Sequence, residues 1–159
     1  MSTLHLQFKA LIKGSSKVIF DLIADLPNYN LWLPASESFG ATTQVSPYPV
    51  RLGTTYLDAG RAGLRPGSVT EYDPPKHIAF HHTMMLKRGP INANTDTRIR
   101  YTIEPIEGGT SVIRDLDLTI KIPGFWKIAK LLIMRGFRKE NERILAELKR
   151  YVEAPQQRS

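Results

Sequence analysis

The chain contains 159 residues and no cysteine, with 22 lysine and arginine residues against 15 acidic ones and a formal net charge of +7. This length suits one domain, and the lack of cysteine excludes a disulfide framework, thiolate zinc sites and a cysteine nucleophile. No apolar run approaches the ~20 residues that span a bilayer, and the N-terminus lacks the apolar segment of a secretion signal. We therefore expect a soluble, cytoplasmic protein.

The first part of the chain predicts one strand followed by two short helices. Apolar and polar residues alternate over 4–12, which is the period of a strand. The sequence Gly-Ser-Ser at 14–16 interrupts this alternation, and a serine there can cap a helix whose apolar residues recur at helical spacing over 18–23. Pro27 ends that helix, and a short apolar piece over 29–33 follows it.

The remainder predicts six more strands and one long helix. The strands are expected at 39–45, 54–59, 68–73, 76–86, 97–104 and 111–121, separated by Ser46-Pro47, Gly53, Gly60, Pro66-Gly67, Pro74-Pro75, Gly89-Pro90 and Gly108-Gly109. Pro123 suits the first turn of a final helix that continues to about Val152. Segregated strands and helices predict an α+β class with an antiparallel sheet that curls around this helix. One domain over 1–153 and a polar tail over 154–159 are expected.

The ordered motifs resemble the START-like superfamily, also called SRPBCC or polyketide cyclase/dehydrase-like. The resemblance rests on VIFDLIAD at 18–25, Tyr29 with WLP at 32–34, GSVTEYDPP at 67–75, GGT at 108–110 and LAELK at 145–149. It implies a helix-grip fold, in which a curved antiparallel sheet wraps around a long C-terminal helix. The superfamily includes lipid carriers, quinone-binding proteins, aromatase/cyclases and co-chaperones, so the fold leaves the function open.

Two adjacent histidines lie in the predicted strand over 76–86. Successive strand residues point to opposite faces, so His81 and His82 cannot both bind one metal ion. His82 shares its face with Phe80, which predicts that His82 points inward. There it is either a candidate acid or base near neutral pH or a satisfied core histidine.

Two further polar residues are predicted to face the interior. Arg114 shares a strand face with Leu116, and a buried guanidinium needs a partner. That partner is either an internal carboxylate, from Glu71 or Asp58, or the carboxylate or phosphate of a ligand. Asn141 lies on the inner stripe of the final helix, where it can bond a ligand or a strand backbone.

The apolar wall of an internal site is predicted from the same inward-facing positions. With His82, Arg114 and Asn141, the predicted ligand-binding residues are Tyr29, Trp32, Phe80, Met84, Leu116, Trp126, Met134 and Phe137. The alternative is that the aromatic residues are ordinary core. No Gly-rich phosphate loop, HExxH, G-x-S-x-G or carboxylate cluster at metal spacing is found, so no metal or cofactor is predicted and nothing requires catalysis.

The final helix is both basic and unusually apolar near its start. Between Trp126 and Arg150 there are eight basic residues and three acidic ones, which gives +5. Four apolar residues fall off the inner stripe: Phe125, Ile128, Leu131 and Leu132. Loops, a second copy of the chain or a membrane surface can cover them. No nucleic-acid motif accompanies the charge, so nucleic acid is not an expected partner.

Three functions are compatible with these features. The first is binding, and possible transport, of a hydrophobic small molecule or lipid between sheet and helix. The second is a cofactor-free cyclase or dehydratase that acts on a polyketide-like substrate, in which His82 moves a proton and Arg114 stabilises an enolate. The third is a membrane-docked quinone or lipid chaperone, or a protein-interaction module. Each of these functions, as described here, requires a hollow interior between the sheet and the helix.

Overall fold

The computed structural model describes residues 3–61, 63–88, 91–122, 124 and 127–155. In chain order, the elements are β1 (Thr3–Ile12), α1 (Ser16–Ala24), a 3-10 helix (Leu26–Leu31), β2 (Ala41–Ser46), β3 (Thr55–Gly60), β4 (Gly63–Asp73), β5 (His77–Arg88), β6 (Ile91–Ile106), β7 (Gly109–Lys121) and α2 (Lys127–Glu153). The strands form one antiparallel sheet in the order β1-β7-β6-β5-β4-β3-β2. The predicted helix-grip architecture is therefore confirmed.

Local chemistry explains where the first helices begin. The Ser15 hydroxyl accepts a hydrogen bond from the Val18 amide at 3.1 Å and so caps α1. Pro27 lies in the first turn of the 3-10 helix, where its missing N–H leaves no helical bond unmade. The buried residues of α1 and Leu26 of the 3-10 helix join the main core.

The end of α2 is fixed against the end of β1. Gly14 allows a close approach, because a Cβ atom there would lie 2.5 Å from Cγ1 of Val152. The Lys13 amide donates to the Glu153 carboxylate at 3.0 Å, and the Lys149 ammonium donates to the Leu11 carbonyl at 2.5 Å. The 27 residues of α2, about 40 Å of helix, are therefore anchored firmly at their C-terminal end.

The structure extends four strands, β4 to β7, beyond their predicted bounds, and β4 shows why. It begins at Gly63 rather than Ser68, so that Pro66-Gly67 lies inside the strand. Within the described residues, the pairing of β4 with β5 begins at Gly67, whose partner is His82. Among those residues Pro66 therefore pairs only with β3, and its missing N–H is tolerated because no second strand needs that hydrogen bond. Gly67 is needed there, because a Cβ atom would lie 2.4 Å from the Tyr56 ring.

The hairpin of β5 and β6 is also longer than predicted. Its register continues to the pair Arg88 and Ile91, beyond the expected strand ends at 86 and 97. The predicted turn at Gly89-Pro90 lies outside the described residues, whereas the turn at Gly108-Gly109 is confirmed by the pairing of Ile106 with Gly109. Within the described residues, no helix combines the length and the apolar character needed to cross a bilayer.

Candidate ligand-binding cavity

A cavity of about 780 Å³ separates the inner face of the sheet from α2. This volume lies within the range typical of small-molecule sites. Its walls come from the 3-10 helix, from β3 to β7 and from α2. Exposed residues among its lining, which mark the opening to solvent, are Glu37, Arg61, Lys87, Leu132 and Gly136. The interior is therefore hollow, as every binding hypothesis requires.

Most of the cavity wall is apolar. The aromatic and other apolar side chains that line it are Leu26, Tyr29, Leu33, Phe39, Tyr56, Phe80, Met84, Ile99, Tyr101, Leu116, Ala129, Leu132, Ile133, Phe137 and Ile144. The Phe80 ring meets the rings of Tyr56 and Tyr101 edge-on, with centroids 6.0 and 6.4 Å apart. Such edge-to-face contacts hold the rings in fixed orientations and give the wall a defined shape.

The structure brings most of the predicted ligand-binding residues to this wall. They are Tyr29, Phe80, His82, Met84, Arg114, Leu116, Phe137 and Asn141. Trp32 and Met134 do not line the cavity: the Trp32 indole packs 5.0 Å from the Tyr29 ring and donates to the Leu22 carbonyl, and Met134 packs beside the buried cluster that includes Leu118. Trp126 lies outside the described residues.

Arg114 is buried in the wall without an acidic partner. Its Nε donates to Oδ1 of Asn141 at 2.7 Å, its Nη1 donates to the Tyr101 hydroxyl, and its guanidinium lies 5.0 Å from the centre of the Tyr101 ring. Among the described residues, no carboxylate oxygen lies within 4.0 Å of it. The expected ion pair with Glu71 or Asp58 is therefore not formed.

The two acids proposed for that pair have other partners. Glu71 pairs with Arg100 at 2.8 Å, and the Asp58 carboxylate accepts from the Thr42 hydroxyl at 2.5 Å. Burial raises the pKa of Asp58, although the Thr42 bond and the nearby Arg65 oppose this effect. Asn141 donates its amide N–H to the Phe137 carbonyl at 2.7 Å, so it bonds the backbone of its own helix rather than that of a strand. Its side-chain oxygen is the acceptor for Nε of Arg114.

A second arginine in the wall was missed by sequence reasoning. Arg65, from β4, lines the cavity, and its buried Nε has no hydrogen-bond partner. It shares a strand face with the buried Val69. Strand alternation with Val69 could have predicted that Arg65 faces inward, but only if the strand were taken to continue through Pro66-Gly67.

His82 lies in the wall between these arginines and is neutral at pH 7. It is 8% exposed, and its Nδ1 atom has no hydrogen-bond partner. Burial, reinforced by the charges of Arg65 and Arg114, lowers the pKa of His82 to about 3. The inward orientation is confirmed, whereas His81 faces outward and contacts the Asp96 carboxylate at 3.0 Å. No group of three or more metal-binding side chains is found in the described part of the chain.

Comparisons with known proteins agree with this architecture. Residues 3–153 match the family described as polyketide cyclase / dehydrase and lipid transport. No curated protein matches the chain. The fold is similar to that of a START superfamily protein from Mycobacterium smegmatis, with a TM-score of 0.67 and 16% identity over 97% of this chain and 99% of that one.

Two further solved structures extend the likeness. The Aha1 dimer from Colwellia psychrerythraea gives a TM-score of 0.66 and 18% identity over 96% of this chain and 98% of that one. The di-domain ARO/CYC StfQ from the steffimycin biosynthetic pathway gives 0.72 and 12% identity over 95% of this chain and 51% of that one. At such identities the likeness concerns the fold alone. The family match over 3–153 identifies the chain as a member of the polyketide cyclase / dehydrase and lipid transport family.

Proposed function

We propose that this protein binds a hydrophobic small molecule or lipid in the cavity between sheet and α2. The observation that carries the proposal is the cavity itself, about 780 Å³ in volume and walled mainly by aromatic and aliphatic side chains. Burying roughly 300 Å² of an apolar guest at ~25 cal/mol/Å² yields about 7 kcal/mol before the costs of association. Apolar enclosure alone therefore supports useful affinity, and binding requires no catalytic group.

A substitution at the cavity opening tests this proposal. Gly136 lines the opening, and a Cβ atom built there meets nothing within 4 Å. The variant Gly136→Trp therefore places an indole in the opening with little strain on the backbone, while Gly136→Ala leaves the opening almost unchanged. The probe is N-phenyl-1-naphthylamine, an uncharged apolar fluorophore whose emission rises on leaving water.

We expect saturable binding of this probe to the wild type and to Gly136→Ala, and a large loss of affinity in Gly136→Trp with unchanged circular dichroism. Lys139→Trp supplies a further control, because it adds the same indole at an exposed position of α2 that does not line the cavity. Equal binding by all four proteins would place the probe outside the cavity and contradict the proposal.

The cyclase or dehydratase alternative depends on a proton-transferring group. A general base works best with a pKa near the working pH. The pKa of His82, lowered to about 3 by burial, makes its imidazole a weak base and leaves almost none of it protonated at pH 7. This argues against the predicted proton transfer by His82 and supports binding as the primary role.

A second candidate function concerns the start of α2. Ile128, Leu131 and Leu132 are 80%, 62% and 65% exposed, so in the described structure no loop covers them. Phe125, the fourth predicted member, lies outside the described residues. Exposed basic residues, Arg135 among them, lie on the same stretch of helix. We propose that this surface meets anionic lipid, which combines apolar burial with charge attraction, at the opening where Leu132 also lines the cavity.

Co-sedimentation with vesicles tests this surface. We expect the wild type to sediment with mixed phosphatidylglycerol and phosphatidylcholine vesicles more than with phosphatidylcholine alone, and the double variant Ile128→Glu, Leu131→Glu to stay in solution. Leu52→Glu is the matched control, because Leu52 is 64% exposed in a turn between β2 and β3. No sedimentation of the wild type contradicts the proposal. A dimer in light scattering that the double variant dissociates assigns the surface to a second copy instead.

A further inference from the structure

The cavity wall carries a row of polar groups that the protein does not satisfy. Three buried atoms without a hydrogen-bond partner belong to residues that line the cavity: Nε of Arg65, Nδ1 of His82 and Oγ1 of Thr97. They come from three neighbouring strands, because His82 is the register partner of both Gly67 and Thr97, and Arg65 lies two residues before Gly67 on the same face. The three groups therefore form one continuous polar row.

Buried polar groups in native proteins are almost always hydrogen-bonded, because leaving one unpaired costs its desolvation free energy with nothing in return. An unpartnered row in a hollow site therefore indicates where a guest or its water completes the bonds. Guanidinium groups only donate, and a hydroxyl can donate, so the complement to Arg65 and Thr97 is a hydrogen-bond acceptor. A neutral imidazole such as that of His82 can donate from Nδ1 to the same acceptor.

The charge of the wall decides what kind of acceptor fits. Arg65 and Arg114 are permanent cations, and within the described residues neither has a carboxylate oxygen within 4.0 Å. Among the described residues that line the cavity, four are basic (Arg61, Arg65, Lys87 and Arg114) and three are acidic (Glu37, Asp58 and Glu140). The lining therefore has one more basic side chain than acidic ones, which favours an anionic guest.

The geometry points to an amphipathic carboxylate as the guest, with its carboxylate on Arg65, Thr97 and His82 and its apolar body against the aromatic wall. This inference rests on the proposed binding function and specifies the class of ligand. A guanidinium binds carboxylate with two parallel hydrogen bonds. Asp58 on the same wall opposes a second negative charge, which favours a carboxylate over a phosphate dianion.

Displacement of N-phenyl-1-naphthylamine by guests with one common chain tests this inference. The competitors are dodecanoate, 1-dodecanol and dodecyl phosphate, which differ only in the head group. We expect dodecanoate to displace the probe at about ten-fold lower concentration than dodecanol, the effect of one charge-assisted hydrogen bond or more. Dodecyl phosphate should compete less well than dodecanoate.

Variants then locate the head group. Arg65→Gln should reduce the preference for dodecanoate over dodecanol to about two-fold or less. The preference is a ratio of two displacement constants obtained with the same protein and probe, so a change in the affinity for the probe itself does not affect it. Arg98→Gln is the matched control, since Arg98 is exposed on the outer face of β6 and its loss changes the net charge equally. Arg114→Gln is a second variant, but Arg114 also bonds Asn141 and Tyr101, so Arg65→Gln decides the result if that protein does not fold.

The possible failures are distinguishable. If the probe binds but dodecanoate and dodecanol displace it equally, water satisfies the polar row and this inference is wrong, while the proposed function stands. If Arg98→Gln lowers the preference for dodecanoate over dodecanol as much as Arg65→Gln does, general charge attraction explains that preference. The placement of the carboxylate on Arg65 is then wrong. If neither the probe nor any competitor binds, the proposed function itself fails.

Discussion

The two halves of α2 belong to one helix yet treat their apolar residues in opposite ways. In the half over 141–153, Leu145 and Leu148 are buried and the helix end is bonded to β1. In the half over 127–140, Leu131 and Leu132 are largely exposed, and Ile133 and Phe137 face a cavity. The comparison teaches that one half anchors the helix against the core, while the other half forms a boundary between the cavity and solvent.

The largest expected effect is a difference in protein stability between the same substitution made in each half of α2. Leu148 is 0% exposed and lies in the main core, so Leu148→Ala should lower the free energy of unfolding by about 2–5 kcal/mol. Leu132→Ala, the same change one helix half away, should cost about 0.5 kcal/mol or less, because that side chain is mostly in water. Urea unfolding followed by circular dichroism measures both. Equal losses would show that the two halves are packed alike.

The sequence predicts which residues face the interior, but it does not predict which of them line the cavity and which pack in the core. Helical spacing correctly places Asn141 on the inner stripe of the final helix, and strand alternation correctly turns Arg114 and His82 inward. Periodicity reports which face a residue occupies, because it follows from the geometry of a single element. It carries no information on the distance to the opposite layer, so it could not separate Met134, packed in a cluster, from Phe137 at the cavity.

Two other differences have more local causes. The sequence predicts that Trp32 lines the cavity, but in the structure its indole N–H donates to the Leu22 carbonyl, ten residues earlier. Arg65 was missed because Pro66-Gly67 resembles a turn, whereas in the structure Gly67 makes space for the Tyr56 ring inside β4. In both cases the deciding contact joins two different elements, which a pattern within one segment does not record.

The next effect is a pH dependence that originates in the cavity wall. The pKa of His82 is about 3 in the folded protein against 6.5 for a free imidazole. Between these values the unfolded chain binds the proton and the folded protein does not, so stability rises with pH across this window and is lost as pH falls below about 6.5. The loss attributable to His82 should reach about 3 kcal/mol at pH 4.

The variant His82→Asn isolates this contribution, because asparagine keeps a polar nitrogen near the Nδ1 position and does not titrate. Denaturant unfolding at a series of pH values should give a flatter acid limb for His82→Asn than for the wild type. Asp58, whose pKa is raised, acts in the opposite direction in both proteins and cancels in the difference. Parallel curves would mean that the imidazole reaches water and that the wall is not as dry as its burial indicates.

The smallest effect sharpens the comparison within the exposed half of α2. Glycine inside a helix costs about 1 kcal/mol relative to alanine, chiefly through backbone entropy. At Gly136 the added methyl group meets no atom within 4 Å, so Gly136→Ala should raise the free energy of unfolding by up to about 1 kcal/mol. A stabilised protein that still binds N-phenyl-1-naphthylamine would show that glycine is unnecessary for access. A stabilised protein that binds it more slowly would instead show that guest entry requires this half of α2 to bend or fray at Gly136, which would make the boundary between guest and solvent a moving one.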